Sequence, residues 1–541
     1  MRKISRLVVH ERRPSQWRKT SSLWLFLLLI ICCHHYSAAE EIGPANAPSP
    51  QASGGAKADR LPDDVEERIR RLESQVNQQA EQIRQLKEKN KESAAPVPDK
   101  TVESSDEPST IRGANDIPSP FSDLLQGGND AIPRPDAKPS GRGFLAGFYD
   151  KGFVLVAPID NQRMPFALKL NATLQLRYTG FVRTKDTFTD SSGQVLPILN
   201  QSDFSLNRGL FVFSGYALNP KLQYNLTVFG STTTNTVIAI GSLTYQFSKG
   251  LALSTGYYNV PGTREWMVSS RYTLGADRTM ANTFFRPSLS PGVWISGQPL
   301  QGLFYYAGIY NNFNASANNA LRASTDMTYS ANLWWEPLGA FGPGYSDEEY
   351  HESLVLRTGT SLTFQRVTRE PDSQSGQTNP ENTILRLSDG TPLFQPGAIA
   401  PGVTLTSGNL TLFSYDLAFK YRGWSLSGEY YARWTGSPRF SGGPTPQTIP
   451  SLFVWGGLGQ LSYAILPKRL ELFARTSGVF GSFGDGNEYG GGMNWYVLAT
   501  RNLRSTFEVK RINHSPANNL LYGYASGQSG TLFQLQMLMD F

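Results

Sequence analysis

The chain has 541 residues and a formal net charge of +6; 39% of its residues are apolar and only 17% charged, with 51 Gly and 24 Tyr. Beyond residue 40 no stretch approaches the roughly 20 consecutive apolar residues of a membrane helix, so a membrane crossing would need strands, whose apolar residues are diluted by alternation. The charge gives no case for nucleic-acid binding: residues 1–39 hold seven Lys/Arg and one acid, which leaves 43 basic and 43 acidic residues.

The chain starts as a targeting segment. Arg2, Lys3, Arg6, Arg12, Arg13, Arg18 and Lys19 precede the apolar run Leu23–Cys33, then come Ser37-Ala-Ala39 and an acidic restart at Glu40. This order of basic region, short apolar core and small residues predicts a secretory signal over 1–39, with a signal anchor as the alternative. Both cysteines, Cys32 and Cys33, fall inside it, so the remainder has no disulfide, thiol nucleophile or thiolate metal ligand. Ile31 and Cys32 are not the small residues expected before a lipidated cysteine.

Residues 40–62, rich in Ala, Pro, Ser and Gly, form a linker. Over 63–92 the composition turns to Glu, Arg, Gln and Lys. Ile69, Val76, Ile83 and Asn90 recur as heptad a positions, and Val65, Leu72, Gln79 and Leu86 as d, which predicts a coiled coil; a single solvated helix is the alternative. Residues 93–142, rich in Pro, Ser and Asp, are a second, disordered linker.

From Gly143 the texture becomes aromatic, Gly-rich and alternating with period two, the period of a strand. In Ala167–Arg183, Leu168, Leu170, Leu174, Leu176, Tyr178 and Val182 oppose a mainly polar row. Similar strands lie at Lys221–Gly230, Leu354–Gln365, Phe413–Arg422 and Trp424–Trp434, while Gly302–Asn311 is apolar on both faces. Short turns at Leu218-Asn-Pro220, Ser248-Lys-Gly250, Pro299-Leu-Gln301, Arg422-Gly423, Pro467-Lys-Arg469 and Arg501-Asn502 alternate with longer loops at 184–203, 260–292, 312–327, 366–409, 435–452 and 513–530. Pro337–Ser353 is long where a short turn is expected.

Short turns on one side and long loops on the other are the pattern of an outer-membrane barrel. The strands number about sixteen, so residues 143–541 are expected to form an antiparallel transmembrane β-barrel, all-β, with an aqueous lumen and both ends on the periplasmic side. Trp and Tyr near strand ends, among them Trp334-Trp335, Trp424, Trp434, Trp455 and Trp495, suit an aromatic girdle. The last stretch, Thr531–Phe541, sets Phe533, Leu535, Met537, Met539 and Phe541 on one row.

By parity the lumen-facing row includes Lys169, Arg177, Arg183, Arg357, Lys420, Arg422, Arg433, Arg475, Arg504 and Lys510, with Asp416, Glu429, Glu471 and Glu508 among them. Residues 163–541 hold 28 basic and 22 acidic residues, a surplus that can bias a pore towards anions. An enzyme is not expected. After the signal only His351 and His514 remain, both in connections and without the Ser or acidic partner that wall-mounted hydrolases need, and neither a metal cluster nor a cofactor site is expected.

Several segments resemble the phosphate-selective porin O and P family. They are Tyr149-Asp-Lys-Gly-Phe-Val-Leu-Val156, Phe166-Ala-Leu-Lys-Leu-Asn-Ala-Thr-Leu-Gln-Leu-Arg-Tyr178, Asn207-Arg-Gly-Leu-Phe-Val-Phe-Ser-Gly215, Asp277-Arg278 with Gly292-Val293, Asp416-Leu-Ala-Phe-Lys-Tyr-Arg-Gly-Trp424 with Gly428-Glu-Tyr430, and Leu470-Glu-Leu-Phe-Ala-Arg475. The ending resembles the closing strand of bacterial outer-membrane barrels, which makes Phe541 an assembly signal for the barrel-assembly machinery. The resemblance implies a homotrimeric, sixteen-stranded channel integral to the outer membrane and surrounded by its lipids. It further implies a third external loop that narrows the pore; here that is 260–292, with Arg264, Arg271, Arg278 and Arg286 against Glu265 and Asp277. The lumen row is of mixed sign rather than a dense run of arginines, so passive diffusion of small hydrophilic solutes, anionic or neutral, fits the residues better than strict phosphate selectivity. The alternative function is a tether whose periplasmic coiled coil contacts peptidoglycan or a partner, with the barrel as its anchor.

Overall fold

A computed structural model describes residues 148–149, 152–156, 166–313, 326–369, 384–443 and 449–541. The signal, coiled-coil and linker segments expected over 1–142 lie outside the described residues. The chain divides into Met1–Thr110 and Ile111–Phe541, and every described strand belongs to the second unit.

The strands in chain order are β1 (Phe148–Tyr149), β2 (Phe153–Val156), β3 (Phe166–Arg183), β4 (Thr187–Thr189), β5 (Val195–Pro197), β6 (Gln201–Ala217), β7 (Asn219–Ser231), β8 (Thr236–Ser248), β9 (Leu251–Asn259), β10 (Leu289–Leu300), β11 (Leu303–Tyr310), β12 (Thr328–Trp335), β13 (Val355–Thr368), β14 (Val403–Tyr421), β15 (Trp424–Gly442), β16 (Phe453–Leu466), β17 (Leu470–Gly481), β18 (Gly486–Tyr496), β19 (Leu503–Asn513) and β20 (Gly530–Asp540). β3 and β6 to β20 pair antiparallel, each with its sequence neighbour, and β20 pairs back onto β3. The result is a closed barrel of sixteen strands. β4 and β5 form a separate hairpin in the first loop.

Alternation decides the faces. In β20, Leu535 is 48% exposed while its neighbour Gln536 is fully buried, and the same two-residue rhythm sends Leu176, Leu226, Leu243, Leu362, Leu426, Leu461 and Leu472 outward. Trp335, Trp424, Trp434, Trp455 and Trp495 are exposed on the same outer face. Trp334 instead turns inward and stacks on Phe304 at 5.2 Å. This explains why β11 is apolar on both faces. Its inward Phe304, Tyr306 and Tyr310 join Trp294, Trp334 and Trp266 in a cluster inside the barrel.

The connections follow the expected alternation with two additions. Residues 232–235 and 482–485 are short links on the loop side that are not among the six expected loops. β14 and β15 each run to 19 residues, well into the segments 366–409 and 435–452 expected as loops, and β10 starts at Leu289, which trims the third loop to 260–288. At Arg422-Gly423 both residues adopt positive φ, 45° and 83°, so two residues suffice to reverse the chain.

Closure ends at the chain terminus. The backbone of Phe541 exchanges hydrogen bonds with Ala172, and its ring meets Phe153 of β2 edge-on at 5.8 Å. β2 pairs with β3 just beyond that point, at Phe153↔Leu170, and so continues the seam where β20 stops. Phe541→Ala is expected to cost about 0.5–1.5 kcal/mol from the ring pair alone. Denaturant unfolding of the detergent-solubilised barrel would report this, with Phe541→Leu recovering only part of the loss.

Candidate functional site

The 260–288 loop folds into the barrel. Its first helix, α1 (Arg264–Met267), is capped by the Thr263 hydroxyl, which accepts from the Trp266 amide; its second, α2 (Met280–Phe285), is capped likewise by the Thr279 hydroxyl, which accepts from the Asn282 amide. Between them Ser270–Tyr272 makes a 3₁₀ turn. Glu265 ties the two helices together by accepting from the Thr279 amide (3.1 Å) and hydroxyl (2.6 Å).

Asp277 fastens this loop to the wall. Its carboxylate accepts from Arg177 Nη2 at 2.6 Å and from Arg208 at 2.7 and 3.1 Å, and Asn207 Nδ2 lies at 3.3 Å. Asn207 and Arg208 are successive residues, yet both point inward. A bulge makes this possible: the β3–β6 register passes from Gln175↔Arg208 to Leu176↔Leu206 and skips Asn207. Two of the quoted segments, Asn207-Arg208 and Asp277-Arg278, therefore meet in space.

Further contacts complete the clamp. Gly275 passes so close to the Arg475 guanidinium and Glu508 that a Cβ would collide with them. Arg475 Nη2 and Glu508 Oε2 pair at 2.7 Å, and the Ala276 amide donates to the same oxygen at 3.1 Å. Glu488 accepts from the Met280 amide and from Tyr524 of the 514–529 loop, each at 2.7 Å, with Lys510 Nζ at 3.5 Å. From that loop Tyr522 accepts from Arg278 at 2.9 Å and Arg286 at 3.0 Å, while Arg286 stacks 3.8 Å from the Trp266 ring centre.

The long 336–354 turn enters from the opposite side. Its Tyr345 hydroxyl donates to Glu429 at 2.5 Å, and its Tyr345 amide donates to the Tyr272 carbonyl of the third loop at 3.3 Å. Glu348 pairs with Arg501, and Glu349 with Lys420 at 3.4 Å. Asp347, Glu349 and His351 bring three ligand-type atoms within 4.8 Å of one another, but each already has a protein partner. Asp347 accepts from the Gly423 amide at 2.8 Å and pairs with His351 Nδ1 at 2.5 Å, while His351 Nε2 lies 3.1 Å from the Ala340 carbonyl. His351 thus has the acidic partner that the sequence did not reveal, and it serves as a strut across the turn. His514 packs edge-on against Phe188 at 5.0 Å.

The lumen-row residues Lys169, Arg177, Lys420, Arg433, Arg475, Arg504, Lys510, Asp416, Glu429, Glu471 and Glu508 are all buried inside the barrel. Arg357 also lies inside, between Glu336 (3.5 Å) and Asp416 (3.3 Å). Arg183 sits at the loop-side rim, paired with exposed Asp186 at 3.1 Å. Arg422 departs from the expected row. It occupies the turn after β14 and is exposed, because the strand ends at Tyr421 and positive φ redirects the side chain. Of the loop arginines, Arg264 faces Asp416 at 3.9 Å and the Tyr345 ring, and Arg286 is fully buried. Arg271 pairs with Asp540 at 2.9 Å and stays partly open to solvent.

Among the described residues, solvent contact inside the barrel is concentrated on one side. Inward residues of β13 to β20 and of β3 are mostly buried under loops, whereas Leu210, Val212, Asn225, Thr227, Ile238 and Ile240 on β6 to β8 keep solvent contact. Between this sector and the edge of the third loop lies a cavity of about 140 Å³. Arg208, Arg271 and Arg278 all reach it. Arg208 was not singled out from the sequence, because the bulge shifts the parity by which inward residues are counted.

No protein-family model matches the chain, and no curated protein matches it. Among solved structures it is similar to Outer-membrane expressed OmpT of Vibrio cholerae (12% identity, 70% of this chain and 98% of that one, TM-score 0.40). It is also similar to OprB of Pseudomonas putida (8%, 69% and 94%, 0.42) and to an anion-selective porin from Comamonas acidovorans (9%, 70% and 100%, 0.40).

Two outcomes follow from this geometry. Asp277→Asn leaves two buried guanidiniums without their carboxylate and is expected to destabilise the protein by about 3–5 kcal/mol in denaturant unfolding. Adding Arg208→Gln, which removes one stranded charge, should restore part of that loss.

The second concerns pH. The hydrogen bond to Asp347 raises His351 above its ordinary value, outweighing burial, which lowers it. Burial alone would raise Asp347, but bonds from His351 and the Gly423 amide hold it below its ordinary value. The His351 contribution is therefore complete below its unfolded value of about 6.5 and is lost as pH rises through its raised value; the Asp347 contribution is lost as pH falls through its lowered value. Glu-specific proteolysis of the 336–354 turn, normalised to a free peptide, should quicken from pH 6 to pH 8. His351→Gln should remove that dependence.

Proposed function

We propose that the protein is a porin of an outer membrane, through which small hydrophilic solutes diffuse passively with a preference for anions. One observation carries this reading. A closed sixteen-stranded barrel with an apolar outer row keeps, among the described residues, a solvent-accessible sector inside, and three guanidiniums line the cavity there. An outer surface of Leu, Met, Phe and Trp suits lipid, and a ladder without free edges leaves no strand hydrogen bond unpaired in it. Guanidiniums beside a narrow path replace part of an anion's hydration and raise its local concentration, while several weak sites let it leave.

Both ends of the barrel lie on the short-turn side, which in this reading is periplasmic. The homotrimer and any phosphate preference rest on the resemblance of the quoted segments. The tether reading rests on residues 63–92, outside the described residues. An enzymatic reading finds little support at His351, since both ring nitrogens face structural partners.

The test is the reversal potential of single channels in a planar bilayer under a KCl gradient, repeated with phosphate. The expected result is a conducting, chloride-preferring channel whose preference falls in Arg271→Gln. Block by phosphate would add the specialised selectivity, and its absence would leave a general porin. Absence of conductance from folded protein would overturn the proposal.

A further inference from the structure

The short-turn rim carries cations that the barrel interior does not use. Lys221, Lys249, Arg422, Lys468 and Arg469 are all exposed there. Lys221 and Lys249 stand singly beside their turns, whereas the other three fall on two adjoining turns. Trp424 of β15 pairs with Tyr463 of β16, and the Ala464 amide donates to the Gly423 carbonyl at 2.9 Å, which sets the 422–423 turn beside the start of the 467–469 turn. Lys468, like Arg422, has positive φ (59°), so both side chains leave the strand rows at the turn tips.

Among the described residues, Arg422, Lys468 and Arg469 have no side-chain hydrogen bond or ion pair. The 336–354 turn touches this place, since the Arg422 amide donates to the His351 carbonyl at 2.7 Å. Its Glu348 and Glu349 hold Arg501 and Lys420, and its exposed Glu352 pairs with none of the three cations. Just inside the rim, on the outer face, Trp424 and Tyr463 stack at 4.3 Å and are 49% and 39% exposed. Tyr421 is exposed as well, and the Arg422 guanidinium lies 5.3 Å from its ring centre. Amphipathic rings of this kind sit where hydrocarbon gives way to headgroups, so the three cations fall at headgroup depth.

We infer that this patch binds the phosphate headgroup of an anionic phospholipid in the leaflet on the short-turn side. Guanidinium presents paired N–H donors to phosphate oxygens, and the ammonium adds a point charge. The stacked Trp424 and Tyr463 receive the glycerol and the first acyl carbons. A zwitterionic lipid brings the same phosphate with an amine beside it, which the cations repel. The inference rests on the barrel crossing a membrane and is independent of what passes through it. It also gives a use to Arg422, which stands outside the lumen row.

The test reconstitutes full-length protein in phosphatidylcholine vesicles and follows tryptophan quenching by dibrominated phosphatidylglycerol or dibrominated phosphatidylcholine. The part of the quenching that disappears in Trp424→Phe reports this patch. There phosphatidylglycerol should reach half-quenching at about a tenfold lower mole fraction. Three cations at roughly fivefold each would give more, but the zwitterionic lipid keeps its phosphate contact. Arg422→Gln/Lys468→Gln/Arg469→Gln, checked as a folded barrel by heat-modifiable gel mobility, should bring the two lipids level. Should that variant not fold, Lys468→Gln/Arg469→Gln, confined to one exposed turn, should lower the preference several-fold. A wild-type ratio near one, or a ratio unchanged in these variants, would overturn the site. So would loss of the ratio in Lys221→Gln/Lys249→Gln instead, which would mean a diffuse rim, or displacement of the lipid by soluble glycerol phosphate, which would mean a free-phosphate site. A chloride-preferring conductance alongside any of these leaves the porin reading standing. Folded protein that does not insert into vesicles would overturn both.

Discussion

Everything in this barrel depends on the seam where β20 meets β3. Once those strands pair, the sheet has no edge, and each strand finds partners on both sides. Only then can the outer row be Leu, Met, Phe and Trp without exposing backbone groups that need water. The seam also fixes the faces. Met537 opposite Leu176 and Gln536 opposite Arg177 set one row outward and one inward, and a slip of one residue would exchange them.

Sixteen strands enclose more space than the wall side chains can fill, so the interior is completed by connections. Burying polar loops beside charged wall residues is tolerable only when the charges are paired and hydrogen-bonded, because an ion stripped of water and left alone is strongly destabilising. The third loop meets that condition at Asp277, at Glu508 with Arg475, and at Glu488, and the 336–354 turn meets it at Glu429, Lys420 and Arg501. Apart from Asn207 and Arg208 at the bulge, the inner face of β6 to β8 offers Leu, Val, Ile, Thr and Asn in place of charged groups. Beyond that clamp the sector meets the loops through apolar contacts, and Leu210, Ile238 and Ile240 stay only partly buried.

The outer face was legible in the sequence because lipid-type alternation is local: Ala167–Arg183, Trp424–Trp434 and Thr531–Phe541 each show it within one strand. The turn at Arg422-Gly423 and the long connection after Trp335 were legible for similar reasons. The inner face was less so. Parity places Arg177 inside, but its partner Asp277 is 100 residues away, and alternation does not indicate which loop will cover it. The bulge at Asn207 is a one-residue irregularity that hides Arg208 from a parity count. Phe229, Tyr306 and Trp334 are apolar residues on the inner face, where a rule of apolar outside and polar inside misplaces them. The extra length of β14 and β15 was concealed by Gly, Ser and Pro, which in isolation signal a loop.

On the proposed porin reading, the acids of the 336–354 turn bear on anion preference as much as the arginines do. Asp347, Glu348, Glu349 and Glu352 crowd one short segment on the side opposite the third loop's opening. Left uncommitted, they would set a negative barrier in series with the cationic edge, and a pore passes only what every point along it admits. Most of that charge is engaged: Glu348 by Arg501, Glu349 by Lys420, and Asp347 by His351 and the Gly423 amide. Folding the turn inward thus narrows the lumen and also removes a field that would oppose the arginines. On that reading, selectivity is a property of the turn and the loop together, joined where the Tyr345 amide meets the Tyr272 carbonyl.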